Sequence, residues 1–106
     1  MGKKNDYAYV EDVGLFKTRE AATIYEYFRN NNENGVTETF DWTRLRDVLF
    51  GELSFMDHDD FVLFEIEILN NALAEIHKRT GDLIVTEIVE TKADGETWIR
   101  FVKRES

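Results

Sequence analysis

DHDDFVLFEIEILNNALAEIHKRTG, residues 57–81, runs directly into DLIVTEIVETKADGETWIRFVK, residues 82–103, and the change of pattern between the two decides the fold. In the first stretch Phe61, Ile68, Leu69, Ala72, Leu73 and Ile76 fall on one arc of a 3.6-residue period, so an amphipathic helix is predicted from Asp57 to about Arg79. Thr80-Gly81 supplies the stop, and Lys78 and Arg79 complement the negative end of the helix dipole. On that wheel Leu63 lies opposite the core arc and Phe64 at its edge, so both are expected to be partly exposed. In the second stretch Leu83 to Val89 is rich in β-branched residues, and Asp94-Gly95 is a strong turn signal. Thr97 to Lys103 then alternates Ile99 and Phe101 with Trp98 and Arg100, which predicts a β-hairpin.

Upstream, Thr18 can cap a helix in which Ala21, Ile24, Tyr25 and Phe28 form one stripe. Asn30 to Gly35 reads as a linker, and Val36 to Phe40 as a very short strand. Asp41 caps a second helix with Trp42, Leu45, Val48 and Leu49 on one side, and Gly51 ends it. Before Thr18, Tyr7, Tyr9, Val13, Leu15 and Phe16 suit an arm lying on the body, so residues 1–17 are read as an arm and 18–106 as a single domain. A chain of 106 residues has room for one core, and 42% apolar residues support a folded one. The absence of cysteine excludes disulfides, thiolate metal sites and thiol nucleophiles, and with no signal-like or membrane-spanning apolar run the expected location is the cytoplasm.

Helix, short strand, helix, helix and hairpin is the order of an α+β winged helix-turn-helix, three helices with a short strand and a C-terminal hairpin as the wing. From the third helix onward the residues also resemble the winged-helix domains of plasmid replication initiators of the RepE, RepB and π type. The likeness rests on Phe64, Leu69, Ala72, the Glu75-Ile76-His77 triplet, Thr80, and Ile99 with Phe101 in the hairpin. Ala21 to Glu26 and Leu45 to Leu49 carry further matching steps upstream, so the resemblance spans roughly residues 18 to 102. It implies a plasmid or phage source and binding to double-stranded DNA in replication or transcription control, as a dimer on a palindrome. Two departures bear on function. Where those initiators are basic after the phenylalanine, this chain has Glu65, Ile66 and Glu67, and its wing is Lys92-Ala93-Asp94-Gly95-Glu96. His77 stands where the family prefers asparagine.

Charge separates two functional expectations. The net charge is -9, from 22 acidic and 13 basic residues, so the average surface repels phosphate. From Asp57 to His77 there are six carboxylates and no lysine or arginine. Acids in a first turn favour the helix dipole, which accounts for Asp57, Asp59 and Asp60 but not for Glu65 and Glu67. The first expectation is therefore a binding surface for a protein partner, or for self-association, made of Asp59, Asp60, Leu63, Phe64, Glu65 and Glu67. An alternative cover for Leu63 and Phe64 is the arm with Tyr7 and Tyr9. The second expectation is DNA binding through Arg44 and Arg46 on the second helix and Lys92, Arg100, Lys103 and Arg104 on the hairpin, all of which also suit surface ion pairs. Asp57-His58-Asp59-Asp60 lacks the glycine and distal glutamate of a calcium loop, and His77 and Glu75, two apart, face different ways on a helix. No nucleotide-binding, hydrolase or zinc-protease motif is present, so neither an enzyme nor a cofactor is expected.

Overall fold

The computed structural model describes residues 16–51, 60–93 and 96–105. Helix α1, Arg19–Asn31, begins where Thr18 turns extended and its hydroxyl accepts the Ala21 N–H at 3.2 Å. The same hydroxyl donates to Glu75 Oε1 at 2.9 Å, and the Lys17 N–H also donates to the Glu75 carboxylate, so the entry to α1 is tied to a helix far along the chain. Ala21, Ala22, Ile24 and Phe28 are buried.

The expected linker is a hairpin. Strands β1, Asn32–Glu33, and β2, Val36–Thr37, pair antiparallel with Asn32 opposite Thr37 and Glu33 opposite Val36. Asn34 and Gly35 between them have φ of 58° and 86°, the left-handed pair that a type I′ turn demands. The Asn-Gly dipeptide was the signal, and the polarity of the asparagine run masked it. Strand β3, Phe40–Asp41, follows, and helix α2, Trp42–Phe50, starts with Asp41 accepting the Thr43 N–H at 3.1 Å. Its buried residues are Trp42, Leu45, Arg46 and Leu49, an i, i+3, i+4, i+7 set. Val48, expected on the core side, is 65% exposed, about 100° round the helix from Leu49, whereas Arg46 falls within the buried arc with its guanidinium 5.2 Å from the centre of the Trp42 ring. Gly51 stops the helix at φ 93°.

The third helix, α3, covers residues 61–80 and is not regular. It consists of an α-helical Phe61–Phe64, a π-helical Glu65–Leu69 and an α-helical Asn70–Thr80. It begins four residues later than expected: Asp60 is extended and its carboxylate accepts the Val62 N–H at 2.9 Å, while Asp57 lies outside the described residues. In the π stretch the Asn70 N–H donates to the Glu65 carbonyl, five residues back. At 3.6 residues per turn Leu69 would sit about 140° round the helix from Phe64; closing one turn over five residues puts both into the core. Phe64, expected at the edge, is therefore 0% exposed and packs on Trp42 with ring centres 5.1 Å apart. Asn71 Nδ2 donates to the Glu67 carbonyl at 2.8 Å, supporting the distorted turn. Gly81, at φ 84°, ends α3 as expected.

Strands β4, Leu83–Thr91, and β5, Thr97–Arg104, form the expected hairpin, with Val85 opposite Val102 and Ile88 opposite Ile99. The register shifts between Ile88 and Glu90, leaving Val89 as an extra residue. The Asp94-Gly95 turn lies outside the described residues, but the Lys92 N–H donates to the Glu96 carbonyl at 2.7 Å across its base. β5 is central: β4 lies on one side, and β2 and β3 pair with the other through Val36 to Val102 and Phe40 to Ile99. The short strand expected from Val36 to Phe40 thus joins the sheet, but as two separate strands, β2 and β3. Among the described residues the fold is α+β, three helices and a five-stranded antiparallel sheet, and no helix is long and apolar enough to cross a membrane.

Two aromatic groups fill the core. Tyr27, Phe40 and Phe101 meet at 5.5 to 6.4 Å between the sheet and α1, and Trp42, Phe61 and Phe64 meet between α2 and α3. Buried Thr37 is fully used, its hydroxyl accepting the Phe101 N–H and donating to the Glu38 carbonyl, both at 3.0 Å. Among the described residues the buried hydroxyl of Thr86 has no hydrogen-bond partner. An unsatisfied buried hydroxyl costs about 1–3 kcal/mol, so Thr86→Val, which keeps the branched shape and the strand preference, is expected to raise stability by about 1 kcal/mol. A higher urea midpoint at unchanged slope is the readout.

Candidate functional site

α3 is amphipathic with too many apolar residues for one buried arc. Phe61, Phe64, Leu69, Ala72, Leu73 and Ile76 turn inward, and Val62, Leu63 and Ile66 remain 57%, 52% and 57% exposed. Acids surround this apolar strip: Asp60 and Glu67 are exposed and Glu65 is half-buried. The sequence named Leu63, Asp60, Glu65 and Glu67 for this face, and the structure brings those four together on the first half of α3. It removes Phe64 from the face and adds Val62 and Ile66, which the sequence reading passed over. Their signal was the density of apolar residues in Phe61 to Leu69, seven of nine, more than a single stripe can bury. Asp59 lies outside the described residues.

The basic residues do not form one stripe. Arg46 is 9% exposed and pairs with Asp47 at 3.1 Å, so it is a core-facing residue rather than the exposed neighbour of Arg44 that was expected. On the hairpin each cation lies against an acid: Lys92 on Glu96 at 3.4 Å and over the Trp98 ring at 4.8 Å, Arg100 and Arg104 on Glu87 at 2.7 and 3.1 Å, and Lys103 on Asp82 at 3.3 Å. Such exposed pairs are each worth about 0–1 kcal/mol, and their main effect is to lower the local positive potential. Trp98 is half-buried and its Nε1 donates to Glu96 at 3.0 Å. Arg44 is exposed at the rim of a cavity of about 210 Å³ between α1 and α2, with Tyr27, Glu38, Phe40 and Val48. Burial, with Glu38 adding to it, pushes the Tyr27 hydroxyl above its ordinary pKa.

A second polar contact joins the end of α3 to α1. The Tyr25 hydroxyl donates to Asp82 Oδ2 at 2.7 Å, and this bond, helped by Lys103, holds the Asp82 carboxyl below its usual range. Tyr25 is pushed up, first by burial and then by Asp82. A depressed carboxyl contributes stability that is full above about pH 4 and is lost as the pH falls through its folded value. A raised phenol contributes stability that is full below about pH 10 and is lost above its folded value. Tyr25→Phe is thus expected to be less stable than the parent at pH 7, with the difference narrowing below about pH 4, as chemical unfolding at a series of pH values would show. Among the described residues no three His, Asp or Glu side chains converge as a metal site. No protein-family model, no curated protein and no solved structure matches the chain significantly.

Proposed function

We propose that the chain is a non-catalytic binding module on a winged-helix scaffold, acting through the acidic and apolar first half of α3 on a protein partner. The order of elements, with β3 and β4 flanking β5, supports that scaffold. The observation that carries the function is the exposed strip of Val62, Leu63 and Ile66 ringed by Asp60, Glu65 and Glu67, on a helix whose counterpart in DNA-reading winged helices enters the major groove. Apolar residues ringed by charge are a common interface pattern. Pairing this face with a second copy would bring acid against acid, so a basic partner is favoured over a homodimer.

The test is affinity capture with the parent and with the double variant Glu65→Lys, Glu67→Lys, followed by reconstitution of any captured protein in purified form. A purified partner that binds the parent and is lost on charge reversal supports the reading; one that binds both equally sinks it. DNA binding is the second reading, favoured by the element order and by exposed Arg44. Fluorescence anisotropy of labelled duplex, titrated at low and then physiological salt, addresses it: binding that falls with salt, and falls further in Arg44→Ala and Arg100→Ala, would replace the protein partner with DNA.

A further inference from the structure

The acidic face does not end at Glu67. It continues into a cleft of about 200 Å³ between α1 and α3, with Glu20 on one wall, Glu67 and Asn71 on the other, and Ile68 and Ala72 at its base. Glu75, at the far end, is occupied by the Thr18 hydroxyl and the Lys17 N–H. Glu20 and Glu67 have no ion-pair partner among the described residues, and the Asn71 amide nitrogen is already committed to the Glu67 carbonyl, which leaves its oxygen as an acceptor. The cleft is therefore rich in acceptors and poor in donors, over an apolar base. The strip of Leu63 and Ile66 stands beside it, since Leu63 is four residues, roughly 6 Å along the axis, before Glu67.

We propose, resting on the protein-partner reading above, that this cleft takes an arginine side chain of the partner, whose neighbouring apolar residues cover Leu63 and Ile66. The partner then presents a basic amphipathic segment, with arginine about one helical turn from its apolar contacts. Two features select arginine. Its stem lies well on apolar side chains such as Ile68 and Ala72, and its planar head offers five donors to acceptors spread over two walls. A compact metal cation needs several carboxylates at one point, and among the described residues no such cluster forms.

The experiment is an NMR titration of the ¹⁵N-labelled full chain with an acetylated, amidated Ala/Gln helix of about 15 residues that carries Leu and Ile one turn apart and Arg one turn beyond. The proposal expects shifts on both the 62–68 strip and the cleft. Glu20→Gln with Glu67→Gln should weaken the probe about tenfold, equivalent to about 1.4 kcal/mol, and a probe with Gln for Arg should bind the parent as weakly as the double variant binds the original. Glu33→Gln with Glu90→Gln, which removes the same charge elsewhere, should leave binding unchanged. Equal weakening by the remote pair, or no weakening by the cleft pair, overturns the arginine site. If the cleft pair has no effect while Leu63→Ser with Ile66→Ser abolishes binding, the site falls but the α3 face stands; if neither has any effect, both readings fall.

Discussion

Phe64→Ala is expected to lower the unfolding free energy by about 3–5 kcal/mol, whereas Leu63→Ala, its neighbour, should change it by less than about 1 kcal/mol. Phe64 is 0% exposed and its ring meets Trp42 and Phe50 at 5.1 and 6.4 Å, so truncation opens a cavity between α2 and α3 that rigid aromatic neighbours cannot fill. Leu63 is 52% exposed and leaves no void. Because small domains are held by about 5–15 kcal/mol in total, Phe64→Ala should be visibly unfolded at moderate urea. A regular helix across this stretch predicts a smaller contrast between the two variants, and equal losses in chemical denaturation would rule out the inward turn of Phe64.

A second large effect concerns chain length rather than side-chain size. Deleting Ile66 removes one residue from the π stretch, after which Phe64 and Leu69 stand four apart and a plain α-helix keeps both buried. That deletion is expected to fold, within about 2 kcal/mol of the parent. Deleting Ala74, also exposed, has no such slack: everything beyond it turns by about 100°. Ile76, 0% exposed, then leaves the core, and Gly81 no longer delivers the chain to β4 in register. Loss of the folded state is expected, and circular dichroism with thermal melting of the two deletions separates them. The contrast is informative because both deleted residues are exposed, so burial alone predicts no difference.

These two experiments bear on what could be read from the amino acids. Local chemistry was legible wherever one residue does one job: Thr18, Asp41 and Gly81 cap or stop helices, and the alternation of Ile99 and Phe101 placed β5. Reading failed where geometry is not set locally. The π turn results from competition between Phe61, Phe64 and Leu69 for the same core, which a fixed 3.6 period cannot express. Arg46 was taken for a surface cation because charge was weighed without the aromatic face of Trp42, four residues earlier, that shelters its guanidinium. The same limitation applies to the candidate site: the acids were visible as a run without cations, but the cleft depends on α1 coming alongside α3, and only the tertiary fold brings Glu20 to Glu67.

The extra residue at Val89 bears on what the edge of β4 offers to another chain. Among the described residues β4 pairs with β5 along one side only, and it is nine residues long, without proline, with Ile88 and Val89 about half exposed. A straight strand of that kind offers a row of peptide groups to any extended chain that arrives, including another copy. The irregularity interrupts that row after Ile88, so an incoming chain can pair without a break only along residues 83–88. The length of chain that could add to this edge in register is thus limited by one unpaired residue, with the Glu90 charge next to it, while Glu87 is taken up by Arg100 and Arg104.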